Sequence, residues 1–327
     1  MPMIGTVNYQ ILPANTAAAI FNLKFYSFGV NNKLQNKFMI GSSELIINPD
    51  GSVFHLHLKP GHLADNIILV GDPGRVELIG SFFSEIEAKT SNREFVSLVG
   101  FYNGKRITVV STGIGTDNID IVLNELDALA NIDFATREIK AEKRSLNIVR
   151  IGTSGGLQPY LDVNSFVVSE KAIGFDGLLN YYAGRKSVSD LDFEEAFKKH
   201  AGWNPLLTSP YVVNASPKLF GKLVGSDSTP GVTISAPGFY GPQGRVLRLP
   251  IIDPDINAKI ENFVFDGRRI TNYEMECSAI YGLSALLGHH AATVCLIIAN
   301  RLSKKANGEY HSQMKKLIHT VLDKLTE

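Results

Sequence analysis

Three arginines stand beside glycine-rich or polar turns: Arg75 in GDPGR, Arg93 in SNREF and Arg150 in RIGTSGG. A guanidinium presents a planar fork of donors that matches a tetrahedral oxyanion, and glycines such as Gly71 and Gly152 let backbone amides come close to one. Together the three predict a phosphate-type anion site; taken singly, each reads as well as a surface or ion-pair residue. In NYEMECS, Glu274 and Glu276 occupy alternate positions near a strand end, with Met275 turned the other way if the strand continues. Such carboxylates can grip sugar hydroxyls while the thioether forms a soft apolar wall. The plainer alternative is a pair of solvated acids ahead of a helix. The loop GFYGPQGR adds Phe239, Gln243 and Arg245: a ring face for stacking on a base, and an amide and a guanidinium for the base's polar edge. As a mixed polar loop it equally need bind nothing.

Other chemistries lack their residues. His55 and His57 alternate, His289 and His290 end a helical pattern, and no histidine pairs with a cysteine at metal-ligand spacing. There is no GxGxxG after the first strand pattern and no Walker loop, and Ser111 and Ser154 lack a nucleophile elbow. The 32 basic and 32 acidic residues cancel, which argues against nucleic-acid or membrane-surface binding through bulk charge. The two cysteines, Cys277 and Cys295, form no disulfide framework, and a reducing cytosol fits them best.

The elements that must position these residues alternate between β-branched runs and helical patterns. NIILV at Asn66 to Val70 reads as a buried strand and GDPG as a turn. Two strand patterns between Phe95 and Ser111 flank Asn103-Gly104, a hairpin dipeptide, which puts an antiparallel element inside the sheet. After STGIG, Thr116 or Asp117 can cap a helix with Ile119, Val122, Leu123, Leu126 and Leu129 on its apolar face. LNIVRIG, FVVS, RITNYEM and AATVCLIIAN read as strands, and Leu191 to His200, CSAIYGLSALLG and the C-terminal Met314 to Leu325 segment as helices. The expected fold is α/β, three-layer α/β/α with a mixed central β-sheet. Residues 1–42 read as an irregular extension without signal-peptide or membrane-span character, and residues 43–327 as a single catalytic domain.

In order, VFHLHL, VGDPGRV, NREF, STGIG, VRIGTSGG, FYGPQGR, NYEMECSA and IIANR resemble the nucleoside phosphorylase family of purine and uridine phosphorylase type, and within it the uridine phosphorylases. The resemblance implies a phosphate site of Gly71, Arg75, Arg150 and Thr153, completed by Arg93 of a neighbouring subunit, with that subunit's His55 at the ribose 5′-hydroxyl. Met275 and Glu276 would hold the ribose, with Glu274 nearby. Ser154, Gly155, Phe239, Gln243, Arg245, Ile298 and Ala299 would line the base pocket, braced by Arg301. It further implies phosphate-dependent cleavage of uridine or a related pyrimidine nucleoside to the base and α-ribose 1-phosphate. Arg245, Gln243 and Glu276 would be the catalytic residues, and there would be no metal or organic cofactor.

Asn300 stands where the purine branch carries an aspartate, and the arginine trio separates the pattern from the hydrolytic nucleosidases. An N-glycosidase, a purine phosphorylase and a non-catalytic nucleoside sensor remain the alternatives. Thr116, Asp117 and Asn118 replace the family's small residues and proline, which argues against the monovalent cation that some members hold near the position of Glu94. Ala299 replaces a frequent valine and leaves room beside the base. The resemblance also implies a cytoplasmic homodimer at least, or a hexamer built as a trimer of dimers, acting on small molecules and on neither nucleic acid nor membrane.

Overall fold

The computed structural model describes residues 39–327, so the expected extension of residues 1–42 lies almost wholly outside the described residues. The first described residues are tied down: the Ile40 amide donates to the Arg137 carbonyl (2.9 Å) and the Arg137 guanidinium to the Leu45 carbonyl (2.9 Å).

In chain order the strands are β1 Asn66–Val70, β2 Glu85–Asn92, β3 Phe95–Tyr102, β4 Lys105–Ser111, β5 Ile132–Asp133, β6 Glu138–Ile139, β7 Asn147–Gly156, β8 Phe166–Gly174, β9 Tyr211–Asn214, β10 Ser228–Ser235, β11 Val264–Phe265, β12 Arg268–Glu274, β13 His290–Asn300 and β14 Lys305–Ala306. The helices are α1 Pro73–Gly80, α2 Thr116–Asn131, α3 Arg185–Val188, α4 Leu191–Ala201, α5 Pro217–Leu223, α6 Ile256–Asn262, α7 Cys277–Leu287 and α8 His311–Thr326.

Most strands join one mixed sheet in the order β11-β12-β10-β8-β13-β7-β1-β4-β3-β2, with β14 added to β13 and β9 to β8. β1 pairs in parallel with β4 and β7, and β7 in parallel with β13, whereas β8 runs antiparallel to β13. Alternation along β1 shows why helices cover both faces. Ile67 and Leu69 enter a core shared with Ile119, Val122 and Leu126 of α2 and Ile280 of α7. Ile68 and Val70 enter another, shared with Val76 of α1, Leu219 of α5 and Leu317 of α8. This is the expected three-layer α/β/α arrangement. One feature went unforeseen: β12 also pairs antiparallel with β7, Asn272 opposite Gly156 and Tyr273 opposite Gly155, so β7, β13, β8, β10 and β12 close into a ring. Side-chain periodicity reports which face of a strand is buried but not which strand is its neighbour.

Four local expectations are corrected. GDPG is the start of α1 rather than a free turn, because the Asp72 carboxylate accepts from the Gly74 amide (2.9 Å) and Pro73 is placed where no amide is needed. RIGTSGG does not leave its strand, for β7 runs through to Gly156. The cap of α2 is Gly115, and neither Thr116 nor Asp117 supplies a side-chain cap. The antiparallel element is at the sheet's end, where β3 and β4 are followed outward by an unanticipated β2. Its turn has Asn103 at φ 49° and Gly104 at φ 70°, the left-handed pair that matches strand twist. Alanine at Gly104 would meet no neighbour but must adopt the left-handed conformation. Gly104→Ala should therefore lower unfolding free energy by about 1 kcal/mol. An unchanged denaturant midpoint would show that the turn does not impose that conformation.

Candidate active site

The residues singled out in the sequence fall into three groups, the first of them around β7, the end of β12 and the start of α7. Arg150, midway along β7, is buried, as are Glu274 at the end of β12 and Glu276 just before α7. The reading of two solvated acids is thereby overturned. The strand stops at Glu274, so Met275 is a half-buried link rather than the opposite face of a strand. Arg150 Nη1 lies 3.3 Å from Glu274 Oε2, and its Nη2 donates to Glu276 Oε2. Glu276 Oε1 accepts from the Gly115 amide at the start of α2 (2.8 Å). Gly152 is required beneath this arrangement, since a Cβ there would run into the Arg150 guanidinium.

Glu274 is saturated. Its oxygens accept from the Ser235 hydroxyl (2.5 Å), the Glu276 amide (2.9 Å) and the Cys277 amide (3.0 Å), so it caps α7 while pinning Arg150. Ser235 was missed in the sequence because Pro230 and Gly231 obscure the strand that carries it, β10. Arg75, in the first turn of α1, reaches the same region and donates to the Ile151 carbonyl (3.2 Å). Burial lowers its pKa, and the Arg150 charge lowers it further. For Arg150 burial acts in the same direction but is outweighed by Glu276 and Glu274, which hold its pKa above the ordinary value. Its Nε–H is buried with no hydrogen-bond partner. Gly71 follows β1, and Thr153, half-buried, lies three residues beyond Arg150.

Arg93 and His55 belong to a second cluster. Arg93 occupies the β2–β3 turn at φ 54°, a costly conformation for a non-glycine residue, with its guanidinium 5.9 Å from the Phe54 ring centroid. His55 Nδ1 lies 2.6 Å from Glu125 Oε1, and the same carboxylate accepts from the His55 and Leu56 amides at 3.0 and 2.9 Å. An ionised Glu125 makes Nδ1 the donor and leaves Nε2 for a ligand. Glu125 was missed, although an acid set between Val122 and Leu126 on an apolar helix face is a visible signal.

The loop after β10 forms a third group. The Arg245 guanidinium lies over the Phe239 ring at 3.8 Å and donates to Phe239 O (2.5 Å) and Gln243 Oε1 (2.6 Å). Arg301 Nη2 donates to that same Gln243 Oε1 at 3.0 Å, while its Nη1 takes the Gln243 carbonyl and its guanidinium covers Tyr273 at 4.9 Å. Two guanidiniums thus fix the amide orientation and leave Nε2–H2 as the edge offered to a ligand. Burial lowers both arginines, and the proximity of Arg245 helps bring Arg301 down to about 10. Ser154 is buried in β7, Gly155 is half-buried opposite Tyr273, and Ile298 and Ala299 lie half-buried where the β13 register shifts. Asn300 is fully engaged: its amide nitrogen donates to the Gln158 (2.9 Å) and Leu161 (2.7 Å) carbonyls, and its oxygen accepts from the Leu302 and Ser303 amides, each at 3.0 Å. Asn118, in the region where a cation was doubted, donates to Glu94 at 3.2 Å. No group of three or more possible metal ligands occurs among the described residues, and none of their helices is long and apolar enough to cross a membrane.

A mixed sheet with Arg150 buried in β7 against Glu274 and Glu276, Arg75 buried in α1 beside it and a polar loop after β10 is the arrangement of a phosphorylase-type α/β enzyme. The chain belongs to the phosphorylase superfamily, whose family model matches residues 65–326. It is 30% identical over 264 residues to a uridine phosphorylase of Haemophilus influenzae, covering 79% of this chain and 90% of that one. It is also 29% identical over 268 residues to a uridine phosphorylase of Thermococcus kodakarensis, covering 81% and 83%. A Trypanosoma brucei nucleoside phosphorylase structure, described as showing uridine phosphorylase activity, superimposes with a TM-score of 0.79 at 31% identity, over 86% of this chain and 99% of that one.

Burial pushes the Glu274 carboxyl up to about 7; Arg150 opposes the shift and Glu276 adds to it. A carboxyl raised above its ordinary 4.5 binds its proton more tightly in the folded state, so its contribution to stability is present in acid and is lost as pH rises through about 7. Relative to Glu274→Gln, the wild type should lose stability between pH 4.5 and 7 when both are unfolded in denaturant. A difference independent of pH would place the titration elsewhere.

Proposed function

We propose that this chain cleaves uridine, or a close pyrimidine nucleoside, with inorganic phosphate to give the free base and α-ribose 1-phosphate, as part of nucleoside salvage in the cytoplasm. The observation that carries the reading is Gln243 Oε1 held between Arg245 and Arg301 at 2.6 and 3.0 Å. That clamp presents an amide donor beside two arginines that have no carboxylate partner among the described residues, which suits a pyrimidine edge that gains negative charge as it leaves. The uridine phosphorylases to which the chain is similar support the same choice.

In this reading Gly71, Arg75, Arg150 and Thr153 receive phosphate. Glu276, held by Arg150 and Gly115, accepts from the ribose 2′- and 3′-hydroxyls, with Met275 against the sugar. Phosphate attacks the anomeric carbon on the face opposite the base and inverts it, and the anion itself stabilises oxocarbenium character in the sugar. Phe239, Ser154, Gly155, Ile298 and Ala299 enclose the ring, and Arg245 with Gln243 stabilises the leaving base. No protein nucleophile, metal or organic cofactor takes part. Uracil release should require phosphate and produce ribose 1-phosphate in equal amount; equal release in phosphate-free buffer would make water the nucleophile. Arg245→Ala should lower kcat by about two to three orders of magnitude, as for loss of an oxyanion donor. Unchanged turnover would remove Arg245 from the site.

The Arg93 and His55 cluster serves a second copy of the chain in this reading, in a homodimer with two composite sites. Arg75→Ala and Arg93→Ala should each be nearly inactive alone. Refolded together, half the dimers are mixed and each regains one intact site, so activity should approach about a quarter of wild type. A mixture as inactive as its parents, with mixed dimers confirmed by mass, would show that the site is not shared.

A further inference from the structure

A cavity of about 660 Å³ opens on the far side of the loop that carries Gln243 and Arg245. It shares Tyr240, Gly241, Pro242 and Arg245 with that loop but is lined by neither Phe239 nor Gln243. Its apolar walls are Phe175, Trp203 and Leu207 from one part of the chain and Tyr240, Ile252 and Ile256 from another. That volume is in the range of small-molecule sites, about 300–1,000 Å³. The aromatic wall is fixed rather than loose: the Phe175 and Trp203 ring centroids are 4.7 Å apart, and the indole N–H donates to the Thr208 carbonyl (3.1 Å). The indole is therefore committed at its nitrogen, and what it offers an occupant is its face.

The charged groups of the wall are two arginines and one carboxylate. Arg248 is exposed and forms no ion pair among the described residues. Asp253, the single carboxylate of the lining, is bound by Lys259 at 2.7 Å. Arg245 is engaged by Phe239 O and Gln243 Oε1 but faces no acid. The mouth is apolar and open: Leu247 is 74% and Leu249 77% exposed. Aromatic walls, an apolar mouth and an unmatched guanidinium at the rim are the complement of a flat apolar molecule with a negative end.

We propose that this cavity is a second ligand site, one that takes a small aromatic anion with its rings against Trp203, Phe175 and Tyr240 and its negative group at Arg248. The site does not depend on the reaction assigned above, and its test is a binding measurement without turnover. Trp203 is the single tryptophan of the chain, so its emission reports from the cavity wall. Titration of the full chain with 8-anilinonaphthalene-1-sulfonate should give saturable binding at one dye per chain, with quenching of Trp203. Arg248→Gln, a change at an exposed position, should weaken the dye about tenfold, as for loss of one charge-assisted contact. The double variant Leu207→Phe with Ile252→Phe, which fills the space, should weaken it at least as much, about tenfold or more. Trp203→Phe should keep the directly excited dye signal while losing the tryptophan response. Absence of saturable binding, or binding that neither wall change weakens, overturns the proposal. So does light scattering that shows the same wall variants splitting a dimer, since a second copy of the chain would then be the occupant.

Discussion

Arg150 brings a full positive charge into a strand buried on both faces, where an uncompensated ion costs several kcal/mol. Two carboxylates and one strand end exist in their observed form because of it. β12 must stop at Glu274 so that this side chain can turn back on the guanidinium, and α7 must begin immediately after Glu276 so that the second acid reaches Nη2. α2 is drawn in as well, because its first amides face Glu276 through Gly115. The favourable end of that helix dipole and the cation thus act on one carboxylate from two sides. Glu276 retains capacity to accept from a ligand, whereas Glu274, saturated by Ser235, Cys277 and the Glu276 amide, acts as a structural anchor.

Much of the framework was legible in the sequence because it follows from local rules. Asn103-Gly104 admits essentially one hairpin turn, and the spacing of Ile119, Val122, Leu123, Leu126 and Leu129 admits one helix face, all of it buried. What was not legible depends on partners distant in the chain. Nothing in RITNYEM shows that Tyr273 will pair with Gly155 and close the ring. Nothing in RIGTSGG alone shows that its glycines belong to a strand, since the reason for Gly152 is the returning guanidinium of Arg150. The burial of Glu274 and Glu276 escaped for the same reason: their counter-ion lies more than a hundred residues away. The motifs that carry these residues were visible as an ordered set through their resemblance. Its division into an Arg75, Arg150 and Glu276 cluster and a separate Arg93 and His55 cluster became visible only in space.

The base loop shows a different economy of charge. Arg150 is neutralised, but Arg245 and Arg301 converge on a neutral amide oxygen and share it. Burial lowers the pKa of both, the Arg245 charge lowers that of Arg301 further, and neither guanidinium has an ion-pair partner among the described residues.

Asn300 carries the last consequence. Its nitrogen holds two buried carbonyls of the β7–β8 connection and its oxygen two amides of the turn after β13. A carboxylate in its place would present oxygen to both carbonyls and lose two donors at once. The amide at this position is therefore bound to the architecture of two loops. An acid could enter here only if the Gln158 to Leu161 connection were rebuilt in the same step.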